Sequence, residues 1–272
     1  MTDPVLVDNL RAMDATNEIR RQAELFSTAL ADADPSARVP TCPDWDAADL
    51  LWHLITVHAF WAAVLRTNPR TPDELAAIEE GYPARPDTIE SMLPLRQRFT
   101  EELLTELERR PDEETRWSWW APDQTVGFTR RMQTSEALMH RVDAELTAGR
   151  ALTPIHPELA AAAIDHAIDV MLAWQPDDAQ VTSAGMVTLE ASDTGLRRQV
   201  EVLSWSGTNP WTQKAMTGHR LQRLENGEPA ATARGSVADL ALWLWTRPGN
   251  VVTEGNEQTL AAVRSLLAAG IV

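Results

Sequence analysis

The sequence predicts an α+β protein: an N-terminal four-helix bundle followed by a smaller α+β domain with an antiparallel sheet. Three observations predict it. From Val5 to about Arg150 the apolar residues recur at helical spacing, in four segments of roughly 18 residues. Beyond Pro157 the period drops to two over residues 186–191 and 196–203, on either side of the turn signal Asp193-Thr194-Gly195. Between the halves, Thr153-Pro154-Ile155-His156-Pro157 reads as a linker, so domains are expected over 1–152 and 153–272.

Each element follows from local signals. Residues 5–33 carry Leu6, Leu10, Met13 and Ile19 at helix-like intervals, and a proline-bearing segment, 35–43, ends that helix. A second helix is expected from 46 to 66, with Asp46 as N-cap and Asp49 in the first turn. Pro69, Pro83 and Pro86 mark 67–86 as a loop. A third helix spans 88–110, with Pro94 as an irregularity inside it. After the Trp-rich loop 116–123 a fourth helix runs from 131 to 148 and stops at Gly149. The connections are long enough for crossovers as well as for antiparallel neighbours. In the second half a helix is expected over 158–174. The hairpin, a third strand at 231–234, and a helix opened by Ser236 and Asp239 and reaching Trp245 come next. An extended piece at 251–253 and a last helix capped by Asn256 complete the chain.

Composition narrows the function. The chain has 272 residues, 44% of them hydrophobic, enough to bury a core. Its formal charge of −16 argues against nucleic acid or an anionic membrane as the main partner. There is one cysteine, Cys42, so neither a disulfide framework nor a Cys-based zinc ribbon can form. No signal peptide is visible at Met1-Thr2-Asp3-Pro4, and the apolar run 240–245 is far short of a bilayer span. The expectation is a cytoplasmic protein of undetermined oligomeric state. Eleven Trp stand against one Tyr and four Phe.

Glu136 and His140 carry the first chemical signal. At i and i+4 they leave one helix face with Cβ atoms ~5–6 Å apart, which suits two metal ligands and equally suits a surface pair. His53, among Leu50, Leu51, Trp52, Leu54 and Ile55, reads as a core histidine or as a third ligand. If the second and fourth helices adjoin, the three meet in the bundle interior. Two imidazoles, a carboxylate and an open position make up a catalytic zinc site and also a non-haem iron site. His58 lies about 140° around the helix from His53, off that face.

Longer motifs carry a resemblance. Val39-Pro40-Thr41-Cys42-Pro43-Asp44-Trp45 precedes the helix bearing His53; Glu136-x-x-x-His140-Arg141-x-Asp143-Ala144-Glu145 follows on the fourth helix; and Arg234-Gly235-Ser236 leads to Asp239-Leu240, Trp243-Leu244-Trp245 and Arg247. In order and spacing these resemble the mycothiol-dependent maleylpyruvate isomerase family, a branch of the DinB-like metal-binding bundles. The resemblance implies a zinc bundle with a C-terminal α+β domain, His53, Glu136 and His140 as zinc ligands with water fourth, and mycothiol as thiol cosubstrate. It implies a role for Arg247 in binding substrate or thiol, against the plain reading of a helix-end arginine. Asp143 is a partner orienting His140 or a solvated charge. Cys42, before the helix, reads as a small packed residue, so an outside thiol would be needed. The expected activity is attack of that thiol on an electrophilic small molecule, giving cis–trans isomerisation or S-transfer. A non-catalytic metal-binding sensor or partner-binding module is the other reading.

Overall fold

The computed structural model describes residues 14–271, and they divide into two compact units, one ending at Pro154 and the other starting at Ile155. The architecture is α+β, as the sequence predicts. The first unit holds four long helices. Helix α1 (Ala15–Leu30) is capped by Asp14, whose side chain accepts from the Asn17 amide. Ile19, Ala23, Phe26 and Leu30, spaced four, three and four, are wholly buried along its inner face. The expected start of this helix, before residue 14, lies outside the described residues.

A short ribbon, β1 (Arg38–Val39) with β2 (Cys42–Asp46), leads into helix α2 (Ala47–Thr67). The Asp46 carboxylate accepts from the Asp49 amide at 2.8 Å, and Asp49 accepts from the Asp46 amide at 3.2 Å. This reciprocal cap fixes where the helix starts, and therefore where His53 stands on it. Asn68 closes the other end in the left-handed conformation, φ 49°. Among the described residues α2 is the one helix long and apolar enough to cross a membrane, but more than half of its apolar stretch is buried inside the protein. Leu50, Leu51, Leu54 and Ile55 form the centre of its core cluster with Phe26 and Leu30.

Helix α3 (Pro72–Glu80) occupies the stretch its prolines mark as loop. Thr71 caps it, Pro72 takes the first helical position, and Asp73 and Glu74 fill the first turn. It buries no residue, so the apolar period that reveals a helix is missing. Helix α4 (Ile89–Glu108) carries Pro94 inside it. Proline cannot bond the Glu90 carbonyl, yet both residues are exposed, so water satisfies that oxygen. Helix α5 (Val126–Thr147) begins five residues ahead of its expected start, capped by Thr125. The poor helix formers Val126, Gly127 and Thr129 conceal that first turn in the sequence. Helix α1 packs along α5 and α2 along α4; α2 and β1 also touch α5, which brings the two motif segments together.

In the second unit, helix α6 (Pro157–His166) runs into a π-helical turn, Ala167–Met171, and ends short of Trp174. The sheet comprises β3 (Gln180–Ala191), β4 (Arg197–Thr208), β5 (Ala215–Leu224), β6 (Ala231–Gly235) and β7 (Val252–Gly255), in the order β5-β4-β3-β6-β7. The expected hairpin joins β3 to β4 with Gly195 at φ 74°. One pairing departs from an antiparallel sheet: β6 is parallel to β3. Leu224 pairs with Gln199, Gln199 with Thr188, and Ala231 with Val187, so residues 225–230 carry the chain sideways without reversing it. Strand β5 escaped sequence reading because it is an edge strand on which only Leu221 is buried. Helices α7 (Val237–Leu244) and α8 (Glu257–Ala268) start at Ser236 and Asn256, as their capping signals predict.

Candidate metal centre

The two helices that carry the motifs bring three side chains together. On α5, His140 Nε2 lies 3.2 Å from Glu136 Oε2. From α2, the His53 ring stands edge-on to that of His140, with centroids 4.8 Å apart. Trp45, at the end of β2, covers the other side of His53 with ring centroids 4.6 Å apart. His140 is buried, whereas His53 is only partly so and the Glu136 side chain keeps 18% of its surface exposed. The group therefore sits where the interior meets solvent.

Behind His140 is a chain of hydrogen bonds. Asp143 is fully buried; its Oδ2 lies 3.3 Å from His140 Nδ1, and its Oδ1 accepts from the Thr41 hydroxyl at 2.7 Å. A carboxylate only accepts, so Asp143 keeps a proton on Nδ1 and makes Nε2 the nitrogen that a cation would take. That Nε2 is buried and makes no hydrogen bond of good geometry. Between the sequence readings of Asp143, burial rules out the solvated charge. Thr41 was not singled out beforehand; its place in the Pro40-Thr41-Cys42-Pro43 run was the available signal.

The charges of the histidines diverge. Burial, helped by repulsion from His140, pushes His53 down to about 4, against the pull of Glu136 and Asp143. Burial works the same way on His140, but the Asp143 and Glu136 carboxylates beside it outweigh it and hold the group up at about 9, so at neutral pH Nε2 carries a proton that a bound cation would displace. His58 faces α4 instead: Thr100 gives its own proton to the Arg96 carbonyl, so His58 Nδ1–H donates to Thr100 Oγ1 at 2.9 Å. Burial lowers His58 to about 3.

Among the described residues no three His, Cys, Asp or Glu side chains are placed so as to hold a metal ion as they stand. The donors at this spot are nevertheless of the kind a divalent cation takes, two imidazoles and a carboxylate, with an orphaned buried nitrogen among them. Each of the remaining sequence candidates has its own surroundings. Arg247 belongs to the second unit, 5% exposed, and its Nη1 donates to the carbonyls of Trp245 and Ile271 at 2.7 and 2.6 Å. Cys42 is packed in the apolar core of the first unit. Of the tryptophans, Trp245 is core, with Nε1 donating to the Ala163 carbonyl, and Trp119 is exposed beside Met132.

Comparison with known proteins adds to this geometry. No curated protein matches the chain. Two solved structures do, both of mycothiol-dependent maleylpyruvate isomerase, one of them a histidine-to-alanine mutant. They share 14% identity (the mutant) and 13%, each with a TM-score of 0.56, covering 89% of this chain and 93% of theirs. At that identity they establish likeness of fold. The family model described as the mycothiol maleylpyruvate isomerase N-terminal domain matches residues 16–145, a span containing the ribbon, His53, Glu136 and His140. Over residues 16–145 the chain therefore matches the N-terminal domain of the mycothiol maleylpyruvate isomerase family.

Proposed function

We propose that this protein is a divalent-metal enzyme, with zinc as the expected ion, that activates mycothiol for addition to a small electrophilic substrate, as in maleylpyruvate cis–trans isomerisation. The observation that carries the proposal is the meeting of His53, Glu136 and His140 at the edge of the interior, with Asp143 fixing the His140 tautomer. These three would hold the cation. When bound, such a cation lowers the pKa of a thiol so that thiolate is available at neutral pH.

The residues divide the remaining work. Thr41 and Asp143 hold His140 so that its Nε2 faces Glu136. Trp45 limits the swing of His53 and shields it from water. The partial exposure of Glu136 leaves the site reachable from solvent. The thiol comes from outside, because Cys42 is buried in the core. In the reaction the thiolate forms a C–S bond to one carbon of a conjugated cis double bond, and the π pair moves to the adjoining carbonyl. The former double bond turns, and the C–S bond breaks to return thiolate and the trans isomer.

The test combines metal analysis with turnover. Wild type is expected to bind about one equivalent of zinc and to convert maleylpyruvate only when mycothiol is present. His53→Ala, Glu136→Ala and His140→Ala are expected to lose both properties while staying folded by circular dichroism. Full metal content in all three variants would reject the site. Metal without thiol-dependent loss of the cis acid would reject the reaction.

A further inference from the structure

The ligand-bearing face of α5 does not end at Glu136. Gln133 lies seven residues before His140, about 20° from it around the helix and ~10.5 Å along the axis; Thr129 lies one turn further, again within about 20°. Both are wholly buried. Among the described residues neither the oxygen nor the nitrogen of the Gln133 amide has a hydrogen-bond partner, and neither does the Thr129 hydroxyl.

The Thr129 case is telling because the alternative is close at hand. Hydroxyls of Ser27, Thr67, Thr100 and Thr147 all donate to the carbonyl four residues back, and so do Thr134 and Ser135 on α5 itself. Thr129 forgoes that bond. A buried amide without partners costs on the order of 1–3 kcal/mol, so a second such group one turn away compounds the cost. Groups held in this way at stability's expense are found where a ligand supplies the missing partner.

We propose that Thr129 and Gln133 form an oxygen-binding pair that receives a carboxylate or keto oxygen of the substrate, about one to three turns along α5 from the proposed metal ligands. The inference rests on the reading of the site as one for a small unsaturated keto acid. Both side chains donate, through O–H and Nε2–H, and neighbouring turns bring their Cβ atoms to ~5–6 Å, close enough to grip one oxygen-bearing group. They bind and position substrate while leaving metal binding to His53, Glu136 and His140.

The test uses the full-length protein and maleate, a cis-unsaturated dicarboxylate, in the absence of thiol. Calorimetric titration is expected to show maleate binding to wild type, weakened about tenfold or more in Gln133→Leu and in Thr129→Val. Thr129→Ser, which keeps the hydroxyl, should restore binding to within about twofold of wild type. Gln133→Leu without ligand should melt at or above the wild-type temperature, since it removes an unpartnered amide. No binding to wild type, or equal binding to wild type and both apolar variants, overturns the pair. Turnover with mycothiol and maleylpyruvate on the same preparations separates the two claims. If wild type lacks turnover but the maleate difference holds, the isomerase reading fails and the oxygen-binding pair stands. If wild type turns over and Gln133→Leu leaves KM unchanged, the pair fails and the reading stands.

Discussion

The organisation of the site rests on Asp143. Its two oxygens tie the ribbon residue Thr41 to His140, so one carboxylate joins two segments a hundred residues apart. Asp143→Asn keeps the shape but can present an N–H to His140, which favours the wrong tautomer. Zinc affinity of Asp143→Asn is expected to fall about 10- to 100-fold, and that of Thr41→Val by less, measured by competition with a chromogenic chelator. Equal affinity in all three proteins would detach Asp143 from the site. His58 makes a prediction of the opposite kind, about stability alone. It titrates near 6.5 when exposed and is pushed down to about 3 in the fold by burial. Between those values the unfolded chain takes up a proton that the native chain refuses, so stability falls as pH drops below about 6.5 and keeps falling until about 3. At pH 5 this amounts to about 2 kcal/mol. Urea unfolding at pH 7 and 5 should therefore show a smaller acid loss for His58→Gln than for wild type, by about that amount.

Among the elements, the π-helical turn after α6 is held by ion pairs where its own hydrogen bonding is irregular. Asp165, almost fully buried, accepts two bonds from Arg198 of β4 at 2.7 and 2.9 Å and one from Arg223 of β5 at 2.7 Å; Arg223 also reaches Asp169. Replacing Asp165 strands two partly buried guanidiniums, the costly way to break such a network. Asp165→Ala is expected to lose about 3–5 kcal/mol in chemical denaturation, far more than the ~1 kcal/mol of Asp46→Ala at the α2 cap. A loss below 1 kcal/mol would make the network ornamental. This network also shows where sequence reading stops. Asp165 and Arg223 are 58 residues apart, and nothing local marks them as partners. Helix starts at Asp46, Ser236 and Asn256 were legible because caps act within three residues. Helix α3 and the first turn of α5 were hidden by proline and by β-branched residues; strand β5 was hidden because an exposed edge needs no apolar alternation. At the candidate centre the i, i+4 pair of Glu136 and His140 was readable from spacing. That His53 joins them depended on α2 and α5 adjoining, which the motifs implied through resemblance and no periodicity could supply. The bonds of Thr41 and the orphaned amide of Gln133 are tertiary facts with no local signature.

For the whole molecule, the excess of 16 negative charges sets a background against which every pair operates. The ion pairs close at a few ångströms, such as Arg85 with Asp49 at 2.7 Å and Arg130 with Asp112 at 2.8 Å. The repulsion among unbalanced acids acts over much longer distances. The Debye length shrinks from ~30 Å at 0.01 M salt to ~8 Å at 0.15 M. Added salt therefore cuts the long-range repulsion first and leaves the close pairs partly intact, and exposed pairs are worth little in any case, about 0–1 kcal/mol each. The balance favours net stabilisation by salt. The melting temperature in scanning calorimetry at pH 7 is expected to rise between 0.01 M and 0.15 M sodium chloride and to level off above it. A fall over that interval would mean that the surface pairs outweigh the self-repulsion, and would overturn the view of the acidic excess as a cost carried by the folded chain.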